Sequence, residues 1–235
     1  MKALILNSGM GTRMGSETKK HPKCMTKITE QDTILSRQLK QLSEKGVTEI
    51  VITTGYLRDI LNEYIDSLKL PLQISLIHNA DYASTNYIYS IYLAYKELIN
   101  QDVLILHGDL VFDDRCLDLC LESDYSCVTV DKILPLPEKD FKGVIKNGRV
   151  ISVGISFFEN SVALQPMYKL FKDDWNIWLN EIAAFCEDNN RKCYAEEAFN
   201  RVSDRMNVIP LDINGNFCGE IDNADDLLIV RKRLR

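Results

Sequence analysis

The stretch Lys2-Ala3-Leu4-Ile5-Leu6-Asn7-Ser8-Gly9-Met10-Gly11-Thr12-Arg13-Met14-Gly15, followed shortly by Pro22-Lys23, decides the fold. Ala3 to Leu6 is a short apolar run of the kind buried as a strand. Directly after it, Gly9, Gly11 and Gly15 let the backbone bend tightly and approach a ligand. Consecutive free N–H groups in such a bend cradle an anion. Arg13 adds a rigid cationic fork suited to phosphate oxygens, and Lys23 adds a second cation beside a stiffening proline. Together they describe a polyphosphate site.

Two familiar phosphate loops are excluded. A dinucleotide fingerprint needs a third glycine at position 14 and an acid about 20 residues on. Position 14 is methionine, and the run Glu49 to Thr53 leads into Gly55 without an acid. That also disfavours a nicotinamide oxidoreductase. A Walker loop ends in G-K-[ST], whereas Gly15 is followed by Ser16 and Glu17.

The pattern of Gly9, Gly11, Arg13, Pro22 and Lys23 resembles the nucleotidyltransferase superfamily that makes NDP-sugars and CDP-alcohols. The resemblance implies a loop wrapped round a nucleoside triphosphate. It makes Arg13 and Lys23 the catalytic cations that stabilise charge as pyrophosphate leaves. It also implies nucleotide contacts from Leu6, Asn7, Ser8, Gly9, Gly11, Thr12, Gly55 and Ser84. Where the family carries two small apolar residues before the first glycine, this chain has Asn7-Ser8.

At 235 residues the chain suffices for one sizeable α/β domain. A net charge of −6 argues against nucleic acid as the main partner. The basic run Arg231-Lys232-Arg233-Leu234-Arg235 reads as a helix end favoured by the dipole. Seven cysteines, without a C-x-x-C pair, point to buried free thiols, not to a disulfide framework or zinc site. No apolar run approaches a membrane span, and no signal pattern opens the chain. A cytoplasmic protein without a membrane partner is expected. Nothing in the sequence sets the oligomeric state, and a homodimer stays open.

Apolar runs then alternate with helical periodicity. Helices are expected at Thr33–Lys45, Arg58–Leu68, Asn86–Ile99 and Asp114–Leu121. Strands are expected at Val47–Thr54, Leu72–His78, Val103–His107 and Tyr125–Val130. This alternation makes βαβ units and a doubly wound, mostly parallel, Rossmann-like α/β sheet. Beyond it, Asn147-Gly148 reads as the type I′ turn of a hairpin. Helices are expected at Val162–Phe171, Asn176–Asn189 and Glu196–Val202. Val208–Leu211 and Phe217–Ile221 flank a second Asn-Gly turn at Asn214-Gly215, and a last helix starts at Asn223. One domain over 1–235 is expected: 1–131 and 208–235 form the nucleotide-binding core, and 132–207 a small acceptor-side insertion.

A triphosphate needs Mg2+, which takes a few hard carboxylate oxygens plus phosphate and water. In open α/β sheets ligands sit at the carboxyl ends of strands. Asp109 follows the strand ending at His107, and Asp222 ends the strand Gly219-Glu220-Ile221. The resemblance assigns metal-binding aspartates to both places. A turn cap is the competing reading for Asp109, and the start of the last helix for Asp222. His107 is read as structural.

The run Asn86-Tyr87-Ile88-Tyr89-Ser90 resembles the branch making CDP-choline and related headgroups, phosphonate cytidylyltransferases included. It implies transfer of CMP from CTP to a phosphorylated or phosphonate headgroup, giving a CDP-activated precursor for surface glycan or phosphonate pathways. Asn86 and Tyr89 are acceptor candidates, with an N-cap and a core tyrosine as their alternatives. Lys132, at a strand end, is the first candidate cation for the acceptor phosphate, ahead of Lys142, Lys146 and Arg149, with a plain surface lysine as the alternative for each. The resemblance places acids for a cationic head near Glu196, with Glu197 and Asn200 beside it. Phosphoethanolamine, phosphocholine, 2-hydroxyethylphosphonate, 2-aminoethylphosphonate and phosphorylated amides all fit. A sugar-1-phosphate nucleotidyltransferase and a non-catalytic nucleotide-binding regulatory subunit are the rivals.

Overall fold

Residues 3–5 are fully buried, and β1 (Lys2–Asn7) accordingly runs through the middle of the sheet. The structure, a computed structural model, describes residues 1–234, with the side chains of Ser16 and Glu17 left aside; Arg235 of the basic terminal run lies outside it. The chain continues through α1 (Ile34–Glu44), β2 (Glu49–Thr54), α2 (Arg58–Leu68), β3 (Gln73–His78), α3 (Tyr87–Leu93), α4 (Tyr95–Leu98), β4 (Val103–His107), β5 (Leu110–Phe112), α5 (Asp114–Glu122) and β6 (Cys127–Asp131). β7 (Lys142–Lys146), β8 (Arg149–Gly154), β9 (Ser161–Leu170), α6 (Lys172–Glu187), α7 (Ala195–Val202), β10 (Ile209–Asp212), β11 (Cys218–Glu220) and α8 (Ala224–Arg233) complete it.

The main sheet runs β10-β6-β9-β4-β1-β2-β3. β4, β1, β2 and β3 are mutually parallel. Their near-continuous apolar runs suit a sheet covered on both faces. One face carries α1, α2 and α5 through Leu35, Leu39, Leu61 and Leu117. The other carries α3, α6 and α7 through Ile88, Trp175, Trp178 and Phe199. A third core of Met14, Ile28, Ile34, Val111, Ile221, Leu227 and Val230 ties the loop after β1 to α8.

The expected helix at Val162–Phe171 is instead β9, antiparallel to both β4 and β6 in mid-sheet. Its residues are buried on both faces, so no alternation marks it as a strand. Pro166 falls where the β6 register steps from Val128↔Tyr168 to Val130↔Leu164, a bulge that spares the missing N–H. The expected helix Asn86–Ile99 breaks at Ala94 into α3 and α4. β5 has three residues, too few for a periodic signal. Asn147-Gly148 joins β7 to β8 as expected, with φ of 52° and 75°. Asn214-Gly215 has the same left-handed pair, but its flanking strands diverge: β10 pairs with β6 and β11 with β5.

Candidate active site

β1 and β4 are parallel neighbours, with Leu6 opposite His107, so the glycine loop and Asp109 emerge side by side. The Gly108 N–H donates to the Leu6 carbonyl at 3.0 Å and holds the two turns together. Gly11 has φ 61°, and a Cβ there would lie 2.9 Å from Lys23 Cβ, so only glycine lets the loop rest on Lys23. β11 pairs antiparallel with β5, Glu220 opposite Leu110, and the Ile221 N–H donates to the Asp109 carbonyl at 3.0 Å. Asp222 is thereby brought to Asp109. Lys23 Nζ stands between them, 2.6 Å from Asp109 Oδ2 and 2.8 Å from Asp222 Oδ1. Arg13 Nη1 lies 2.8 Å from Asp222 Oδ2. The cap of α8 is Asn223, which forms a complete capping box with Asp226 and leaves the Asp222 carboxylate to the site.

Burial works against the Lys23 charge, but Asp109 and Asp222 more than reverse this and hold its pKa above the ordinary lysine value. Burial likewise pushes Asp109 up, and the Lys23 and His107 cations bring it below the usual carboxylate range. Asp109 Oδ1 is buried with no partner. Two hard carboxylates, one with a spare buried oxygen, converge on a single cation. That donor set fits a divalent ion such as Mg2+, which Asp109 and Asp222 would hold. His107 and Glu220 also lie close to Asp109, but they are already bonded to each other, Nδ1 to Oε1, at 2.7 Å.

Leu6, Asn7, Gly9, Gly11, Thr12, Arg13, Lys23, Asp109 and Asp222 line one cavity of about 290 Å³. Beside it, Ser8 and Asn86 line a second of about 190 Å³ with Asn79, Thr85, Tyr87, Ser90 and His107. Gly55 lies beneath the loop, where a Cβ would meet the Ser8 carbonyl at 2.5 Å. Asn86 lines the second cavity and also caps α3, accepting from the Tyr87 N–H at 2.7 Å.

Four expected residues are not brought in. Ser84 is exposed and donates to the Asp81 carbonyl, and Thr85 lines the cavity in its place. Tyr89 stacks on Tyr92 and under Arg191, and Tyr87 lines the cavity instead. Lys132 is exposed, 3.7 Å from Asp212. Glu196 is 2% exposed, and both its oxygens accept hydroxyls, from Tyr87 and Tyr168. It props Tyr87 from behind and does not face the cavity.

His107 and Glu220 were not expected in the site. Each is the last residue of its strand and precedes a site aspartate by two residues. Asn79, one residue past β3, was legible by the same strand-end rule that found Asp109.

The family described as Domain of unknown function (DUF6564) matches residues 19–141, just over half of the chain. The chain belongs to that family. This DUF6564 chain has the nucleotidyltransferase fold: it superposes on a CTP:phosphocholine cytidylyltransferase from Streptococcus pneumoniae with a TM-score of 0.79 at 21% identity, covering 100% of this chain and 99% of the other. Among its curated relatives, a choline-phosphate cytidylyltransferase of Streptococcus pneumoniae is 29% identical over 96% of this chain and 95% of its own. A CTP:phosphoglutamine cytidylyltransferase of Campylobacter jejuni is 27% identical over 97% and 98%. No helix among the described residues is long and apolar enough to cross a membrane.

Proposed function

We propose that this chain is a CTP-dependent cytidylyltransferase that joins CMP to a small phosphate- or phosphonate-bearing headgroup and releases pyrophosphate. The observation that carries this reading is the convergence of Asp109, Asp222 and Lys23 beside the glycine loop. An acceptor oxygen attacks the α-phosphorus, a new P–O bond forms, and the bond to the bridging oxygen breaks with its electron pair leaving on pyrophosphate. The nucleophile is already anionic, so positioning and electrostatics carry the reaction without a general base. The glycine loop receives the triphosphate, and Arg13 and Lys23 turn from the carboxylates to its oxygens. Mg2+ held by Asp109 and Asp222 would supply electrostatic stabilisation at the α-phosphate.

The amides and hydroxyls of Ser8, Asn79, Thr85 and Asn86 suit a neutral base and ribose, and the Tyr87–His107 end beside Asp109 suits the acceptor. The whole chain acts as one domain in this reading. Pyrophosphate release assayed with CTP, UTP, GTP and dTTP against a panel of phosphorylated and phosphonate acceptors tests it. Release with CTP and a headgroup supports the reading. Release only with sugar 1-phosphates replaces it with the sugar-nucleotide reaction. Tight CTP binding without turnover replaces it with a regulatory subunit.

A further inference from the structure

Asn7 is 7% exposed, and its Nδ2 is buried with no hydrogen-bond partner. Proteins keep few such donors, because each is costly. Its placement is tightly fixed. The Asn7 backbone N–H donates to Thr53 Oγ1 at 3.1 Å. The carboxamide packs against Gly108, where a Cβ would lie 1.7 Å from Asn7 Oδ1. Gly108 is thus the space that Asn7 fills. The buried amides of Gln38 and Gln41 also carry an unpaired atom, but in both the Nδ2-equivalent, Nε2, is already donating. Asn7 differs in that its free atom is the donor and its side chain lines the phosphate cavity with Lys23 and Asp109.

We propose that Asn7 Nδ2 is held free to donate to the α-phosphate of the bound nucleotide. The inference rests on the nucleotide reading above. In the nucleotide reading above, Asp109 and Asp222 serve the α-phosphate, and Asn7 lines the same cavity as both. A fixed donor at that place opposes the negative charge that builds on the transferred group.

The test is calorimetric titration of wild type, Asn7→Ala and Asn7→Asp with CTP, CMP and inorganic pyrophosphate, alongside melting of each nucleotide-free protein. No hydrogen bond of Nδ2 is lost in the nucleotide-free state, so Asn7→Ala loses only packing against Gly108 and its melting falls modestly. Its affinities for CTP and CMP fall together, roughly tenfold to a hundredfold, as for a hydrogen bond to a charged group, while pyrophosphate binds as before. Asn7→Asp keeps the shape, places a like charge against the phosphate and loses more. A lowered melting temperature with unchanged CTP affinity would overturn the proposal, because Asn7 would then only pack. Wild type that binds CTP while Asn7→Ala and Asn7→Asp bind it equally well overturns the Asn7 role alone. Wild type that does not bind CTP overturns the nucleotide reading with it.

Discussion

The backbone N–H of Ile221 donates to the carbonyl of Asp109 at 3.0 Å, joining two strand ends far apart in the chain. This single ladder bond, extended by the β5–β11 pairing, is what sets Asp222 beside Asp109. The glycine loop reaches the same point from β1, and Lys23 closes the group.

Removing either carboxylate should therefore remove turnover and not the fold. Asp109→Asn and Asp222→Asn are expected to lose about a hundredfold or more in kcat, a few kcal/mol of transition-state stabilisation. Far-ultraviolet circular dichroism should match wild type. Activity within threefold of wild type in both variants would show that the pair is not part of the chemistry.

Lys23 lies 2.6 and 2.8 Å from Asp109 and Asp222, and in the proposed reading it competes with a divalent ion for those oxygens. Lys23→Met should lower kcat by more than tenfold with little change in CTP affinity. Without nucleotide it should bind Mn2+ more tightly than wild type, read by electron paramagnetic resonance. Weaker Mn2+ binding in the variant would mean that the ammonium does not stand in the ion's place.

His107 links stability to pH. Burial alone would lower its pKa, but the Glu220 carboxylate, with Asp109 behind it, raises it from 6.5 to about 9. The folded chain keeps this proton where the unfolded chain has released it. The contribution is fully present below about pH 6.5 and is lost as the pH rises to about 9. Melting of the metal-free, nucleotide-free protein should fall across that window, and His107→Asn should flatten the fall. Equal slopes in both proteins would remove His107 as the cause.

Glu196 holds the hydroxyls of Tyr87 and Tyr168. With both oxygens accepting buried hydroxyls, Glu196→Gln should cost about 1–3 kcal/mol of stability. The acceptor KM should stay within a few-fold of wild type. A large rise in acceptor KM with unchanged melting would return Glu196 to the direct contact that its position in the sequence suggested.

Much of this site was legible because its signals are local. Gly9 to Arg13 and Pro22-Lys23 read as a phosphate loop by composition, Asp109 is marked by the apolar strand before it, and the structure gathers them around one cavity. The parallel strands around β1 read clearly because each is bounded by turn residues and separated by an amphipathic helix. What was not legible depends on long-range pairing. β9 is buried on both faces and carries a proline, so its sequence mimics a helix end until β4 and β6 are placed on either side. The divergence of β10 from β11 is set by their partners and not by Asn214-Gly215. Tyr87 and Tyr89 are equivalent in composition, and only the packing of Tyr89 against Tyr92 and Arg191 decides which of them lines the cavity. Lys132 stands apart from the gathered residues because its exposed ammonium lies 3.7 Å from Asp212, a partner supplied by the distant β10.

Single-turnover pyrophosphate release, followed as a function of Mg2+ concentration in wild type, Asp109→Asn and Asp222→Asn, bears most directly on the two aspartates as holders of the ion. Saturation in wild type, with the half-saturating Mg2+ at least tenfold higher in either variant, is the predicted result. An identical Mg2+ dependence in all three proteins would contradict it.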